Sequence, residues 1–299
     1  MCLPLRVLGG VLVLAAIAPA AAGAATRDVT TAPVRTVRVG DVDLAYRGVG
    51  AGPPLVLIMG LGGTMDAWRP ELVQRLARRH RVILFDNRGT GRSTTGIKAI
   101  TIRTMAGDAR GLIHRLGLRR PDVMGWSMGG FIAQELILGH PRDVDDLVLA
   151  ATSAGGRGAT LPAPEVISML ADLGNADQVL GLLFTLPADQ GQADAYVASI
   201  VRWPDFTIAL SPAAVAGQLQ TSIDWLVGAG ASARLGRLQA RTLVGGGTAD
   251  VVLPAPNQRA LARRIRGAEL VLYPGTAHGF LAQEPARWAA RVERFLAAG

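Results

Sequence analysis

Asp122-Val123-Met124-Gly125-Trp126-Ser127-Met128-Gly129-Gly130-Phe131 decides how this chain is read. An apolar run ends in a turn of small residues with one serine at its centre, and a helix-like segment from Phe131 to Leu138 starts at once. The order is strand, sharp turn, helix. A serine on such a turn projects its hydroxyl above the sheet, and glycine two positions to either side lets the crossing backbones approach. The N–H of Met128 then stands at a helix N-terminus, where it can donate to a developing oxyanion.

The flanking sequence supplies the context that this short pattern needs. Leu55 to Met59 and Arg81 to Phe85 are continuous apolar runs, as expected of strands covered on both faces. The first breaks at Gly60-Leu61-Gly62-Gly63 and the second at Asp86-Asn87-Arg88-Gly89-Thr90-Gly91-Arg92-Ser93. Helical spacing follows each, over roughly 67–79 and 101–116. Nearer the start, Val34 to Val39 and Val42 to Tyr46 alternate around Gly40-Asp41, a hairpin pattern suited to a sheet edge. Beyond the elbow, Val144 to Ala151 reads as a sixth strand. From 153 to 238 the pattern changes to short helical stretches broken by prolines at 162, 164, 187, 204 and 212. Alternation resumes with Ala240 to Gly245, a helix near 257–265, Glu269 to Tyr273, and a last helix over about 285–297. Strict alternation predicts an α/β fold with a mostly parallel eight-stranded sheet and helices on both faces. The expected organisation is a core over 26–152 and 239–299, with 153–238 as an inserted helical cap.

Residues 1–25 read as a targeting segment outside that fold. Arg6 precedes an uncharged run from Val7 to Ala25 that finishes in Ala22-Gly23-Ala24, the pattern of a cleaved signal peptide. Export to the periplasm or the exterior is therefore expected, with retention of the leader as an anchor the alternative. Cys2 is the one cysteine and lies within the leader, so a thiolate nucleophile and disulfides are excluded from the mature chain. The net charge is +8, and Lys98 is the only lysine. The arginines are scattered, with no basic run interleaved with aromatics, so nucleic acid is not an expected partner. No stable membrane insertion is expected once the leader is cut.

In an open parallel sheet the crevice forms beyond the carboxyl ends of the strands, and that rule sorts the candidate partners of Ser127. His80 precedes a strand, His114 lies within a helix, and His140 ends the helix that starts at the serine, about 18 Å away. His278 alone among the four histidines follows a strand, in Gly275-Thr276-Ala277-His278-Gly279-Phe280. Among the acids of the C-terminal half, Asp172, Asp177, Asp189, Asp194, Asp205 and Asp224 fall in the insertion. Asp250 follows the strand ending at Gly245, as a triad acid or as the N-cap of the next helix. The resulting set is Ser127, Asp250 and His278. It combines a hydroxyl that can carry an acyl group, an imidazole that can take and return a proton, and a carboxylate that orients the imidazole. The backbone N–H groups of Leu61 and Met128 are the expected oxyanion donors.

These residues resemble the alpha/beta-hydrolase superfamily. The elbow at 125–129, the Asp86 to Ser93 loop, similar to the family's D-x-R-G-x-G-x-S segment, Asp250, and the Gly275 to Phe280 loop carry the likeness across nearly the whole mature chain. One departure is Met59-Gly60, where the family commonly has His-Gly; the backbone donor remains. The resemblance implies a cofactor-free, metal-free serine hydrolase with a small-molecule ester as substrate. A serine at the elbow argues against haloalkane dehalogenase and epoxide hydrolase, which use aspartate there. Perhydrolase, carbon–carbon bond hydrolase and peptidase activities are open on the same triad, and a non-catalytic ligand-binding module is the rival from another class. Asp86, Arg88 and Arg92 are expected to brace their loop. Trp126 is expected beside the pocket, and Leu182, Leu183, Phe184, Trp203, Phe206, Trp225 and Phe280 are candidates for an apolar pocket lining.

Overall fold

The computed structural model describes residues 28–299. The expected leader at 1–25 lies outside the described residues, and among these no helix is long and apolar enough to cross a membrane. One sheet of eight strands organises the chain, in the order β1 (Arg35–Val39), β2 (Val42–Val49), β4 (Arg81–Phe85), β3 (Pro54–Ile58), β5 (Asp122–Trp126), β6 (Leu147–Ala150), β7 (Thr242–Gly247) and β8 (Glu269–Tyr273). Strand β2 runs against its neighbours, and every pairing from β4 through β8 is parallel. The β1–β2 hairpin turns at Gly40-Asp41, with Val39 opposite Val42.

Burial explains which sequence runs became central strands. Leu55, Val56, Leu57 and Ile58 are all inaccessible to solvent, as are Val82 to Phe85, because helices cover both faces of the sheet. On one face α2 (Ile102–Arg115) and α3 (Met128–Gly139) pack together; on the other, α1 (Pro70–Leu76) packs against α10 (Pro285–Leu296). Helix α1 starts later than its spacing predicts because Pro70 fixes the first helical position, while Met65–Ala67 forms a separate short 3-10 turn. Strand β6 is shorter than the expected 144–151 run, since the polar residues up to Asp146 form the loop that enters it.

Between β6 and β7 come four helices, α4 (Pro164–Ala171), α5 (Ala176–Leu183), α6 (Gln190–Ile200) and α7 (Pro212–Val227). The sheet then resumes, followed by α8 (Pro256–Arg264) after β7, and α9 (Phe280–Gln283) and α10 after β8. Consequently the loops after β3, β5, β7 and β8 all open at the carboxyl edge of the sheet, where residues of α4, α5 and α6 share a cavity with Ser127 and His278.

Candidate active site

Ser127 sits between the end of β5 and the first turn of α3 with φ 57° and ψ −124°. That conformation is unfavourable for a residue with a Cβ, costing about 1–3 kcal/mol where it is enforced. Hydrogen bonds hold it: Ser127 N donates to Ala150 O at 2.9 Å, and Ser127 O accepts from Thr152 Oγ1 at 2.8 Å and from Gly130 N at 2.9 Å. The flanking glycines are sterically required. A Cβ on Gly125 would strike the carbonyl of Gly129, and one on Gly129 would strike the carbonyl of Ile58.

The Asp250 carboxylate is buried and fully engaged. One oxygen accepts the N–H groups of Val252 and Leu253, each at 2.8 Å, and the other accepts from Nδ1 of His278 at 2.8 Å. Asp250 is not the N-cap of α8, whose cap position is Ala255. Its bond to Nδ1 leaves Nε2 of His278 as the free nitrogen, and Ser127 and His278 line the same cavity. No direct Ser127–His278 hydrogen bond is present among the described residues; in unliganded hydrolases this contact is often long and shortens with substrate bound.

Hydrogen bonds from several elements fix the histidine loop. Trp126 Nε1 donates to His278 O at 3.2 Å, with the two rings 6.1 Å apart. Ala277 N donates to Gln283 Oε1 at 2.8 Å. Gly279 N donates at 2.9 Å to the carbonyl of Leu183, on α5. Trp126 thus combines a position beside the cavity with a polar hold on the general-base candidate.

The Leu61 N–H lies on the loop after β3, and the Met128 N–H is one of the unpaired donors at the start of α3. The neighbouring Gly62 N–H donates to Gln218 Oε1 at 2.9 Å, and Gln218 Nε2 donates to Arg88 O at 3.3 Å. Gln218 is wholly buried on α7, so an insertion residue pins the loop that carries Leu61. Sequence reasoning missed it; a glutamine among the apolar residues of α7 was the available signal.

The cavity has a volume of about 300 Å³ and is lined mainly by aliphatic side chains, among them Leu173, Leu180, Val197, Ile200, Ile208 and Leu210. Trp126, Leu182, Leu183 and Phe206 lie on its wall as expected, Leu61 lies there too, and among the described residues no charged side chain does. Four expected lining residues belong elsewhere. Phe184 is buried against Tyr196 at 5.6 Å. Trp203 donates Nε1 to Trp68 O at 3.0 Å beneath the Arg47 guanidinium. Trp225 stacks on Phe131 of α3 at 5.5 Å, and Phe280 wedges between Tyr273 and Trp288. Large rings were the visible candidates, but each joins one element to another, and aliphatic residues surround the space. A wider cleft of about 520 Å³ between α1 and α10 contains none of the candidate catalytic groups.

The Asp86 loop is braced as expected. Asp86 accepts the N–H groups of Met65 at 2.6 Å and Arg92 at 2.9 Å, and burial pushes its carboxyl up to about 6. Arg88 is buried and forms a two-pronged pair with Asp108 of α2, at 2.6 and 2.7 Å.

The profile for the alpha/beta hydrolase fold matches residues 53–285. The chain belongs to this family. A Caulobacter sp. (strain K31) protein named "Putative carbamate hydrolase RutD" is 31% identical over 271 residues, spanning 86% of this chain and 97% of its own length. A solved alpha/beta hydrolase fold protein from Chitinophaga pinensis is 28% identical with a TM-score of 0.82, covering 90% of this chain and 98% of its own. A hydrolase from Pseudomonas aeruginosa PA01, also 28% identical, superposes with a TM-score of 0.73 over 88% of this chain and 98% of its own. The hydrolase fold therefore accounts for the sheet, the elbow loop after β5 and the positions of the loops around it.

Proposed function

We propose that this hydrolase is a serine carboxylesterase acting on a small, hydrophobic ester through an acyl-enzyme on Ser127. The observation that carries this reading is the buried Asp250–His278 pair, whose histidine lines the same uncharged, aliphatic cavity as the strained Ser127. Nε2 of His278 takes the Ser127 proton as Oγ attacks the acyl carbon, and the Leu61 and Met128 N–H groups stabilise the oxyanion. The protonated imidazole then donates to the leaving alcohol, and its neutral form activates the water that releases the acid. Asp250 holds the tautomer with the proton on Nδ1 and stabilises the cation.

A carbamate substrate, suggested by the name of the Caulobacter relative, is less well matched. A small polar or anionic acyl group would leave its polar atoms unpaired against aliphatic walls, which costs several kcal/mol by roughly the cyclohexane scale. The proposed leader, residues 1–25, would carry the enzyme out of the cell; the intact mass of the exported protein tests cleavage near Ala24 or Ala25.

The test is a p-nitrophenyl ester series with the mature protein and Ser127→Ala, alongside labelling with a fluorophosphonate. Wild-type turnover and labelling, both lost in Ser127→Ala, support the reading. Wild-type rates in Ser127→Ala overturn it. Turnover of carbamates with none of esters would replace the ester assignment.

A further inference from the structure

The chain between α6 and α7 has no regular secondary structure from Pro204 to Ala209, yet its backbone is tied to the sheet domain along its length. Arg47 Nη2 donates to Pro204 O at 2.6 Å, and Arg92 Nη2 donates to Asp205 O. Thr207 is held from both ends: its N–H donates to Asp66 Oδ2 at 3.1 Å, and its carbonyl accepts from Thr64 Oγ1 at 2.8 Å. Gly91 N donates to Ala209 O at 2.9 Å, and Leu210 forms an isolated antiparallel bridge with Thr90. Behind this strap lies an ion chain, buried at Arg47 and Asp66 and partly exposed at Arg92, in which the Asp66 carboxylate sits 3.2 Å from Arg47 Nη2 and 2.9 Å from Arg92 Nη1.

The strap's side chains face the catalytic cavity. In an extended segment, residues two apart share a face, and Phe206, Ile208 and Leu210 all line the cavity. A second part of the wall, from α4, α5 and the turn between them, presents Leu170, Leu173, Val179 and Leu180. It is attached to the histidine loop through the Leu183 carbonyl and, just beyond α5, through Thr185 Oγ1, which donates to Gly275 O at 3.3 Å. The strap is therefore anchored by ion pairs, whereas the α4–α5 side is held by apolar packing and neutral hydrogen bonds.

We propose that Arg92, which lies outside the cavity lining, is a positioning residue for chain-length selectivity. By holding Asp205 and Asp66 together, it fixes Phe206, Ile208 and Leu210 as the rigid wall against which the apolar part of the substrate is measured. The reading of that apolar part as an acyl chain rests on the esterase proposal above; the wall itself does not.

The test compares wild type, Arg92→Gln and Arg92→Lys in four measurements. With p-nitrophenyl esters from acetate to decanoate, Arg92→Gln is expected to keep kcat/KM for acetate within about twofold and to raise KM for decanoate about tenfold at similar kcat. Arg92→Lys, which retains a charge for Asp66, falls between the two. Tryptophan fluorescence titrated with 1-decanol is expected to show about tenfold weaker binding in Arg92→Gln, with 1-butanol unaffected. Hydrogen exchange at the Thr207 amide is expected to quicken while the melting temperature holds. Should kcat drop equally for every chain length, or should decanol bind Arg92→Gln as it binds wild type, the role is wrong. If wild type turns over no ester but the decanol difference persists, the esterase reading fails and the strap's role stands. If Arg92→Gln does not fold, the same decanol and exchange comparison on Arg92→Lys decides the matter.

Discussion

Gln218 and Gly62 lie 156 positions apart in the chain and meet at 2.9 Å, the buried side-chain oxygen accepting the Gly62 N–H. Helix α7 thereby sets the backbone next to Leu61, a candidate oxyanion donor. Gln218→Met keeps length and burial but removes the acceptor, leaving a buried N–H unpaired at about 1–3 kcal/mol. We expect kcat on a p-nitrophenyl ester to fall by about tenfold to a hundredfold, since each 1.4 kcal/mol is a factor of ten. KM should change by less than about threefold, as the aliphatic wall is untouched. Steady-state kinetics showing a rise in KM alone would assign Gln218 to substrate binding instead.

The Asp250–His278 contact at 2.8 Å gives a second expectation. Asp250→Asn fits the same space but favours the opposite imidazole tautomer, so kcat should drop by about 10⁴, as for the equivalent change in serine proteases. Fluorophosphonate labelling of Ser127 should slow in parallel. An Asp250→Asn enzyme within a factor of ten of wild type would mean that another carboxylate orients His278.

Trp225 separates stability from specificity. Its stack on Phe131 joins α7 to α3 away from the cavity. Trp225→Ala should cost about 3–5 kcal/mol of stability, the usual range for truncating a buried tryptophan. At a temperature where the variant is folded, KM for short and long esters should match wild type. Urea unfolding and kinetics on one preparation check both halves.

The pH dependence of folding has an unusual sign at Asp122. Burial pushes its carboxyl up to about 6, helped by neighbouring Asp146 and Asp145 and opposed by the hydrogen bond it accepts from Asp146 N. A carboxyl whose pKa is higher folded than unfolded holds its proton more tightly in the fold. Its stabilising contribution is complete below the unfolded value near 4 and is lost as pH rises through about 6. Asp122→Asn, which mimics the protonated form, should therefore gain on wild type as pH is raised from 4 to 7. Urea midpoints at pH 4, 5, 6 and 7 test this; a gap that narrows with rising pH contradicts it.

Much of this architecture was legible in the sequence because buried parallel strands leave continuous apolar runs. Leu55 to Met59, Arg81 to Phe85 and the stretch into Gly125 each mark a strand whose end delivers a loop to one edge. The rule that chemistry collects at that edge selects His278 and Asp250, and the structure brings that pair together. The cavity wall was far less legible. Phe184, Trp203, Trp225 and Phe280 attract notice by size, but their size makes them cement between elements. Leu173, Ile208 and Leu210 carry no local signal, since an aliphatic residue facing a void and one facing a neighbour look alike in sequence. Gln218 was hidden for a related reason, its partner being a backbone N–H that no side-chain motif announces.

The hydrogen bond from Gly279 N to the Leu183 carbonyl bears on how this enzyme could be re-engineered. The residue next to His278, the candidate general base, is tethered to the roof, so roof and candidate site are not interchangeable parts. Transplanting a foreign insertion between β6 and β7 would import new substrate contacts and unmoor His278 in the same stroke. A chimera that is to keep its turnover needs a carbonyl where Leu183 now supplies one.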